Sequence, residues 1–150
     1  MLTLMVGLPR SGKSTWINEY SGIYEAVISN DWIREEILGN QYSSAANPAI
    51  WMITDSCTRL LLSQGFDVIL DGINHTRYVR GLFLDIAREY KHQTRIVYMN
   101  TPLSYCVQRN EITKKLPTEK ITQMHRQMEK PTEDECDILV QPPFENSSAS

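Results

Sequence analysis

The sequence predicts an α/β protein, a three-layer sandwich in which a five-stranded parallel sheet carries helices on both faces. Two observations predict it. Five short apolar runs, "LTLMV", "YEAVIS", "DVIL", "RIVYM" and "DILVQ", have the length and residue types of buried strands. Segments of helical spacing separate them, and a chain that alternates strand and helix builds parallel strands joined by crossovers. The 150 residues, 41% hydrophobic and 22% charged, suit one globular domain.

The elements follow in order. "LTLMV" is the first strand, and a helix is expected over Ser14–Tyr20 behind it. "YEAVIS" is the second strand. Pro48–Ser63 reads as a helix with Ile50, Ile53, Cys57, Leu60 and Leu61 on its buried face. "DVIL" is the third strand, followed by a helix over Arg77–Tyr90 that buries Val79, Leu82, Phe83, Ile86 and Ala87. After "RIVYM", helices are expected from Pro102 to about Glu111 and over Pro117–Met128, each opened by a proline suited to a first helical turn. "DILVQ" closes the sheet. A single domain is expected over residues 1–144, with a lid at about 109–117 and a disordered tail, "ENSSAS", at 145–150.

Composition narrows the function classes. A net charge of −3 disfavours a protein that coats nucleic acid non-specifically. Between Arg109 and Lys130, however, Arg109, Lys114, Lys115, Lys120, Arg126 and Lys130 face Glu111, Glu119 and Glu129. Such a local cationic surface suits a polyanion held at one site; an ordinary solvated helix face is the bland alternative. No apolar run reaches membrane-spanning length, "MLTLMV" lacks the features of a signal peptide, and neither a membrane nor a protein partner is inferred. Cys57, Cys106 and Cys136 form no CxxC pair and are expected as reduced thiols in a cytoplasmic protein.

The chemistry starts at Gly7-Leu8-Pro9-Arg10-Ser11-Gly12-Lys13-Ser14, which fits G-x-x-x-x-G-K-[ST] between a strand and a helix. Gly7 and Gly12 let the backbone wrap so that successive N–H groups point into one anion-sized hollow. The helix behind adds its positive end. Lys13 is placed to reach the β- and γ-phosphates of a nucleoside triphosphate, Ser14 to ligate Mg²⁺, and Thr15 to help at the α-phosphate. Arg10 has two open readings, a phosphate contact or a solvent-facing charge.

Residues after the next strands suggest what happens to the triphosphate. In "VISNDWIREEI", Asp31 and Arg34 lie one helical turn apart. Asp31 can accept the proton of an attacking hydroxyl, and Arg34 can grip an anionic acceptor bidentately. The plainer reading makes Asp31 an N-cap and Arg34 a surface charge. Trp32 either stacks on a base or belongs to the core. In "VILDGINHTRYVR", Asp71 ends a strand where a Walker-B-type carboxylate holds Mg²⁺ or its water. Asn74 follows in the turn, Thr76 can cap the next helix, and Arg77 and Arg80 are placed to approach a phosphodiester. His75 gets no metal role. In "CVQRNEITKKLPTEK" a lid is expected to close over the triphosphate. Arg109 is the candidate for stabilising the transferred group, ahead of Lys114 and Lys115.

"GLPRSGKSTW", "NDWIR", "LDGINHTR" and "QRN" together resemble the P-loop kinases related to the kinase domain of bacteriophage polynucleotide 5′-kinase, over roughly residues 2–130. The resemblance implies a P-loop NTPase/kinase-like fold, ATP as phosphoryl donor and Mg²⁺. It implies Asp31 as general base, Arg34 on the acceptor's phosphate, Arg109 in the lid, and a turn of the Asp71–Asn74 kind after the third strand. It also extends the localisation to a phage-encoded protein acting in the host cytoplasm. Two departures stand out: Arg10 occupies a loop position where glycine is usual, and Thr113 stands where the phage enzyme has a second lid arginine, with Lys114 or Lys115 as substitutes. No D-x-D-x-T motif of the phage enzyme's phosphatase domain occurs in these 150 residues. The expected function is transfer of the γ-phosphate of ATP to a nucleic-acid hydroxyl, first of all a 5′-hydroxyl of DNA or RNA. The nucleic-acid end, or a nucleotide-like acceptor, binds through Arg34, Asp71, Asn74 and Arg77. Alternatives are a kinase of a hydroxymethylated pyrimidine in phage DNA, of a nucleoside or of a small alcohol, and a nucleotide-hydrolysing switch.

Overall fold

The computed structural model describes residues 1–23, 25–39, 44–113 and 116–144. In chain order these form β1 (Leu2–Val6), α1 (Lys13–Tyr20), β2 (Glu25–Ser29), the short α2 (Asn30–Trp32) continued by a π-helical turn (Ile33–Ile37), and a 3₁₀ turn (Ser44–Ala46) that leads into α3 (Asn47–Ser63). Then come β3 (Asp67–Asp71), α4 (Arg77–Glu89), β4 (Thr94–Tyr98), α5 (Leu103–Thr113), α6 (Thr118–Gln127), a 3₁₀ turn (Glu133–Glu135) and β5 (Ile138–Val140). The five expected strands are all present, each within a residue or so of its apolar run.

The sheet is parallel throughout, in the order β2-β3-β1-β4-β5. β1 is central because every one of its residues is fully covered. Leu2, Leu4 and Val6 face one layer, where Leu62 of α3 and Phe83, Leu84, Ile86 and Ala87 of α4 meet them. Met5 faces the other, against Trp16 and Ile17 of α1. The polar Thr3 on that side is satisfied by Arg95, whose Nε donates to its hydroxyl at 3.0 Å. The chain leaves β1 for β2 on one side of the sheet and later crosses from β3 past β1 to β4 on the other. The direction of winding therefore reverses at β1, and its carboxyl end is where open α/β sheets hold ligands. Among the described residues no helix is long and apolar enough to cross a membrane.

The face of α3 differs from expectation. Ile50, Thr54, Thr58 and Leu62 are buried, whereas Cys57 and Leu60 are exposed and Ile53 and Leu61 half-buried. Threonines take part in the buried stripe because one is satisfied within the helix: Thr58 Oγ1 donates to the Thr54 carbonyl at 2.6 Å. Apolar count alone turned the predicted face by about one residue.

Arg80 also departs from its expected approach to a phosphodiester. It is 0% exposed. Its Nε and Nη2 donate to the two carboxylate oxygens of Glu135, at 2.8 and 3.2 Å, and its Nη1 donates to the Asn74 carbonyl at 2.9 Å. Glu135 in turn takes the Thr132 amide at 2.8 Å, completing a capping box. Burial pushes the Glu135 carboxyl up, but Arg80, the Thr132 amide and Arg77 outweigh it and hold it below its ordinary 4.5.

A buried ion with one partner removed is strongly destabilising, so Arg80→Ala should cost about 3–5 kcal/mol in urea unfolding. A depressed carboxyl stabilises the fold above its unfolded value and loses that contribution as pH falls through its folded value. Unfolding free energy should therefore drop as pH is lowered below 4.5, and more shallowly in Glu135→Gln. Equal slopes would remove Glu135 from this role.

Candidate active site

The Gly7–Ser14 loop runs from the end of β1 to the start of α1, and neighbours pin it from three sides. The Gly7 amide donates to the Ile73 carbonyl at 3.2 Å, tying the loop to the β3–α4 turn. Thr101, just beyond β4, donates its hydroxyl to the Ser11 carbonyl at 2.6 Å. Arg109 Nη1, from α5, donates to the Arg10 carbonyl at 3.0 Å. An apolar contact backs these bonds: Leu8 packs with Cys106 of α5 and Ile121 of α6. The glycines are needed for two separate reasons. A Cβ on Gly7 would lie 2.6 Å from Ser11 Oγ and 3.1 Å from Met99 Cβ, while Gly12 has φ 103°, in the left-handed region.

Lys13 folds back into this loop. Its Nζ donates to the carbonyls of Gly7 and Leu8, both at 2.9 Å. Burial pushes the ammonium below its usual value, and the charges of Asp71, Asp31 and, least, Cys106 pull it back up. Asp71, at the end of β3, is held above the usual carboxylate range by burial; Lys13 lowers it and Asp31 raises it. One cation and two carboxylates from three strand ends thus share one electrostatic site.

The backbone explains how Asp31 gets there. Ser29 Oγ accepts the Trp32 amide at 3.3 Å and is the N-cap of α2, so Asp31 lies in the first turn and is not the cap. Asn30 leans over Gly72: a Cβ at that glycine would sit 2.7 Å from Asn30 Nδ2. This close approach seats the β2–α2 turn beside the β3 end, and with it Asp31 beside Asp71. Arg34, in the π-helical turn, donates from Nη2 to Asn47 Oδ1 at the start of α3, at 2.7 Å. π-Helical turns are rare and recur at functional sites.

Other expected site residues are placed differently. Asn74 is buried with φ 46°, and its Nδ2 donates to the Met5 carbonyl at 2.8 Å. Its amide is a tie between the β3–α4 turn and β1, which corrects the expected substrate contact. Arg77 is engaged by Asp134 and by the Thr132 hydroxyl, so its charge is committed to the segment before β5. The Asp134 carboxyl, held by Arg77 and Thr132, falls to about 2. Thr76 caps α4 as expected, its Oγ1 accepting the Val79 amide at 3.2 Å. Trp32 is 58% exposed and not a core residue, while Trp51 packs on Phe83 at 5.0 Å between ring centroids. Arg10 Nη2 donates to Thr113 Oγ1 at 2.6 Å, an exposed contact with α5 that neither of its two sequence readings named. Lys114, Lys115 and the 145–150 tail lie outside the described residues.

The donor set fits Mg²⁺. The Ser14 hydroxyl, exposed at the start of α1, and the Asp71 carboxylate are hard oxygen ligands beside an anion-binding loop. Sequence reading missed Thr101, Asn30 and Asn47. Only Thr101 carried a signal, as a polar residue directly after a strand and before a proline.

The family described as an AAA domain matches residues 2–131. The L-seryl-tRNA(Sec) kinase of Methanococcus maripaludis is 29% identical over 143 residues, 87% of this chain and 53% of that protein. The chain thus spans about half the length of this curated relative. A structure of the Pnkp1/Rnl/Hen1 RNA repair complex superposes with a TM-score of 0.73 and 21% identity, over 84% of this chain and 43% of that one. The Mycobacterium tuberculosis APS kinase CysC, in complex with AMPPNP and APS, gives a TM-score of 0.61 and 19% identity, over 96% and 89%. These likenesses bear out the P-loop kinase-like fold and the resemblance drawn from the sequence.

Replacing Lys13 tests the shared field directly. In Lys13→Met, burial and Asp31 act on Asp71 unopposed, so its carboxyl should titrate at higher pH than in the wild type by ¹³C NMR. An unchanged or lower midpoint would separate the two groups.

Proposed function

Because the chain belongs to the AAA domain family matched over residues 2–131, we propose that it is an ATP-dependent kinase that transfers the γ-phosphate to an alcohol, most directly a 5′-hydroxyl of a nucleic acid. The observation that carries the reading is the common field of Lys13, Asp31 and Asp71 at the mouth of the phosphate loop. A P-loop kinase fold implies ATP, which the loop amides and Lys13 cradle through its phosphates. Ser14 and Asp71, directly or through water, would hold Mg²⁺, which would supply neutralisation of the phosphate charge.

In this mechanism Asp31 accepts the proton of the acceptor hydroxyl as the hydroxyl oxygen attacks the γ-phosphorus, the bond from that phosphorus to the bridging oxygen breaks, and ADP leaves. Exposure of Asp31 supports that role, since the group must meet a second substrate. Arg34, steadied by Asn47, holds the acceptor's own phosphate with its planar fork. Lys13 and Arg109 stabilise charge on the moving phosphoryl group, and the α5–α6 hairpin excludes water from it. Asn74 is tied to the Met5 carbonyl and Arg77 to Asp134 and Thr132, so no role in the transfer is proposed for either.

A second acceptor has an observation behind it. The curated relative at 29% identity is named as a kinase of L-seryl-tRNA(Sec), so the serine hydroxyl of an aminoacylated RNA is the runner-up. Transfer of labelled γ-phosphate decides between them, using 5′-hydroxyl oligonucleotides, 5′-phosphorylated controls, seryl-tRNA, hydroxymethylated DNA and free nucleosides. Labelling of the 5′-hydroxyl strand supports the first reading; labelling confined to another acceptor replaces it, and acceptor-independent hydrolysis at an equal rate indicates a switch.

Asp31→Ala should keep ATP affinity within a few-fold while kcat falls by about 10² or more. Arg34→Ala should chiefly raise the acceptor KM. Near-wild-type turnover in the first variant, or an unchanged KM in the second, removes that residue from its role.

A further inference from the structure

Arg10 sits in the middle of the phosphate loop with φ 68°, a left-handed conformation that a non-glycine residue keeps only when its surroundings fix it. Two bonds to one helix do so. Arg109 Nη1 donates to the Arg10 carbonyl at 3.0 Å, and Arg10 Nη2 donates to Thr113 Oγ1 at 2.6 Å. Arg109 and Thr113 are four residues apart on α5, hence stacked on the same helix face. One loop residue is therefore gripped at its backbone and its side chain by successive turns of the lid helix. The grip also has direction: the backbone bond comes from the lid to the loop, and the side-chain bond goes from the loop to the lid.

We infer that Arg10 is a positioning residue, a clasp that holds the end of α5 over the phosphate loop and retards release of the bound triphosphate. The inference rests on the triphosphate site proposed above, not on the identity of the acceptor. Geometry supplies the coupling. Any change in the loop at Arg10 shifts a carbonyl that Arg109 holds and a guanidinium that Thr113 holds, so the loop and the lid move together. Charge supplies the sense of the coupling, because Arg10 and Arg109 each bring a cation to the contact between loop and α5, and a polyphosphate in the loop attracts both. Nucleotide binding and lid closure then favour each other. An arginine in the loop and a threonine on the lid form a matched pair, in which neither side chain makes the contact without the other.

The test is the release rate of a fluorescent ATP, mant-ATP with Mg²⁺, from the full chain by stopped flow. Loss of one hydrogen bond to a charged group corresponds to about tenfold in an equilibrium or rate constant. Arg10→Gly and Thr113→Val should each speed release about tenfold. The double variant should be no faster than either single one, because both remove the same contact. Thermal unfolding midpoints should stay at the wild-type value or rise in Arg10→Gly, since glycine accepts the positive φ without strain. Fast release in Arg10→Gly with none in Thr113→Val would mean that Arg10 acts on the phosphate itself and overturns the clasp. Multiplying effects in the double variant, or wild-type release in both single variants, overturns it too. A wild-type chain that does not retain mant-ATP removes the triphosphate site, and the clasp with it, a failure visible before any variant is compared.

Discussion

The ammonium of Lys13 is the constraint to which the rest of the site answers. A cation partly withdrawn from water needs compensation, and here two loop carbonyls bond it while two carboxylates add opposite charge. Each source comes from a different part of the chain. The carbonyls belong to the turn after β1, Asp71 ends β3, and Asp31 follows β2. The sheet order places these three strands side by side, β2 next to β3 and β3 next to β1. A parallel sheet with that order is therefore sufficient to gather the charges; no long-range side-chain network is needed. The field that results is unfavourable to the empty site and favourable to a ligand that carries both anionic oxygens and a metal ion.

Such a site costs stability, and the scaffold supplies it nearby. Arg80, buried under α4, links Glu135 to the Asn74 carbonyl, and the Asn74 amide reaches the Met5 carbonyl just ahead of the loop. A paired and fully bonded ion thus lies two hydrogen bonds from the first glycine of the phosphate loop. The turn between β3 and α4 is held on one side by this pair and on the other by the Gly7 amide. Rigidity at that turn is what fixes Asp71 relative to Lys13. Among the described non-glycine residues, left-handed backbone occurs at Arg10, in the phosphate loop, at Asn74, beside it, and at Lys91, in the turn before β4.

The inner strands β1, β3 and β4 were readable in the sequence because they are largely buried on both faces and so appear as apolar runs. The half-buried edges β2 and β5 keep enough apolar residues to read alike. The phosphate loop was readable because its backbone geometry demands glycines at fixed spacing. What hid from the sequence were side chains whose partners are far along the chain. Arg77 and Arg80, one turn apart, look alike as letters, yet one is exposed on Asp134 and the other is enclosed by Glu135, a distinction set by the segment before β5. Asn74 looked like a ligand because turns after strands hold ligands, but a buried turn must first satisfy its own backbone. In α3 an apolar count misjudged the face, since Thr54 and Thr58 can be buried within a helix and Cys57 and Leu60 can be left out.

The central claim is that Asp31 serves the attacking oxygen while Lys13 and Asp71 serve the phosphate. A crystal structure of the chain with a non-hydrolysable ATP analogue, Mg²⁺ and a 5′-hydroxyl trinucleotide measures this most directly. The account predicts the terminal hydroxyl oxygen within hydrogen-bond distance of the Asp31 carboxylate and in line with the γ-phosphorus. A hydroxyl contacted by a different basic group, with Asp31 turned to solvent, would contradict it.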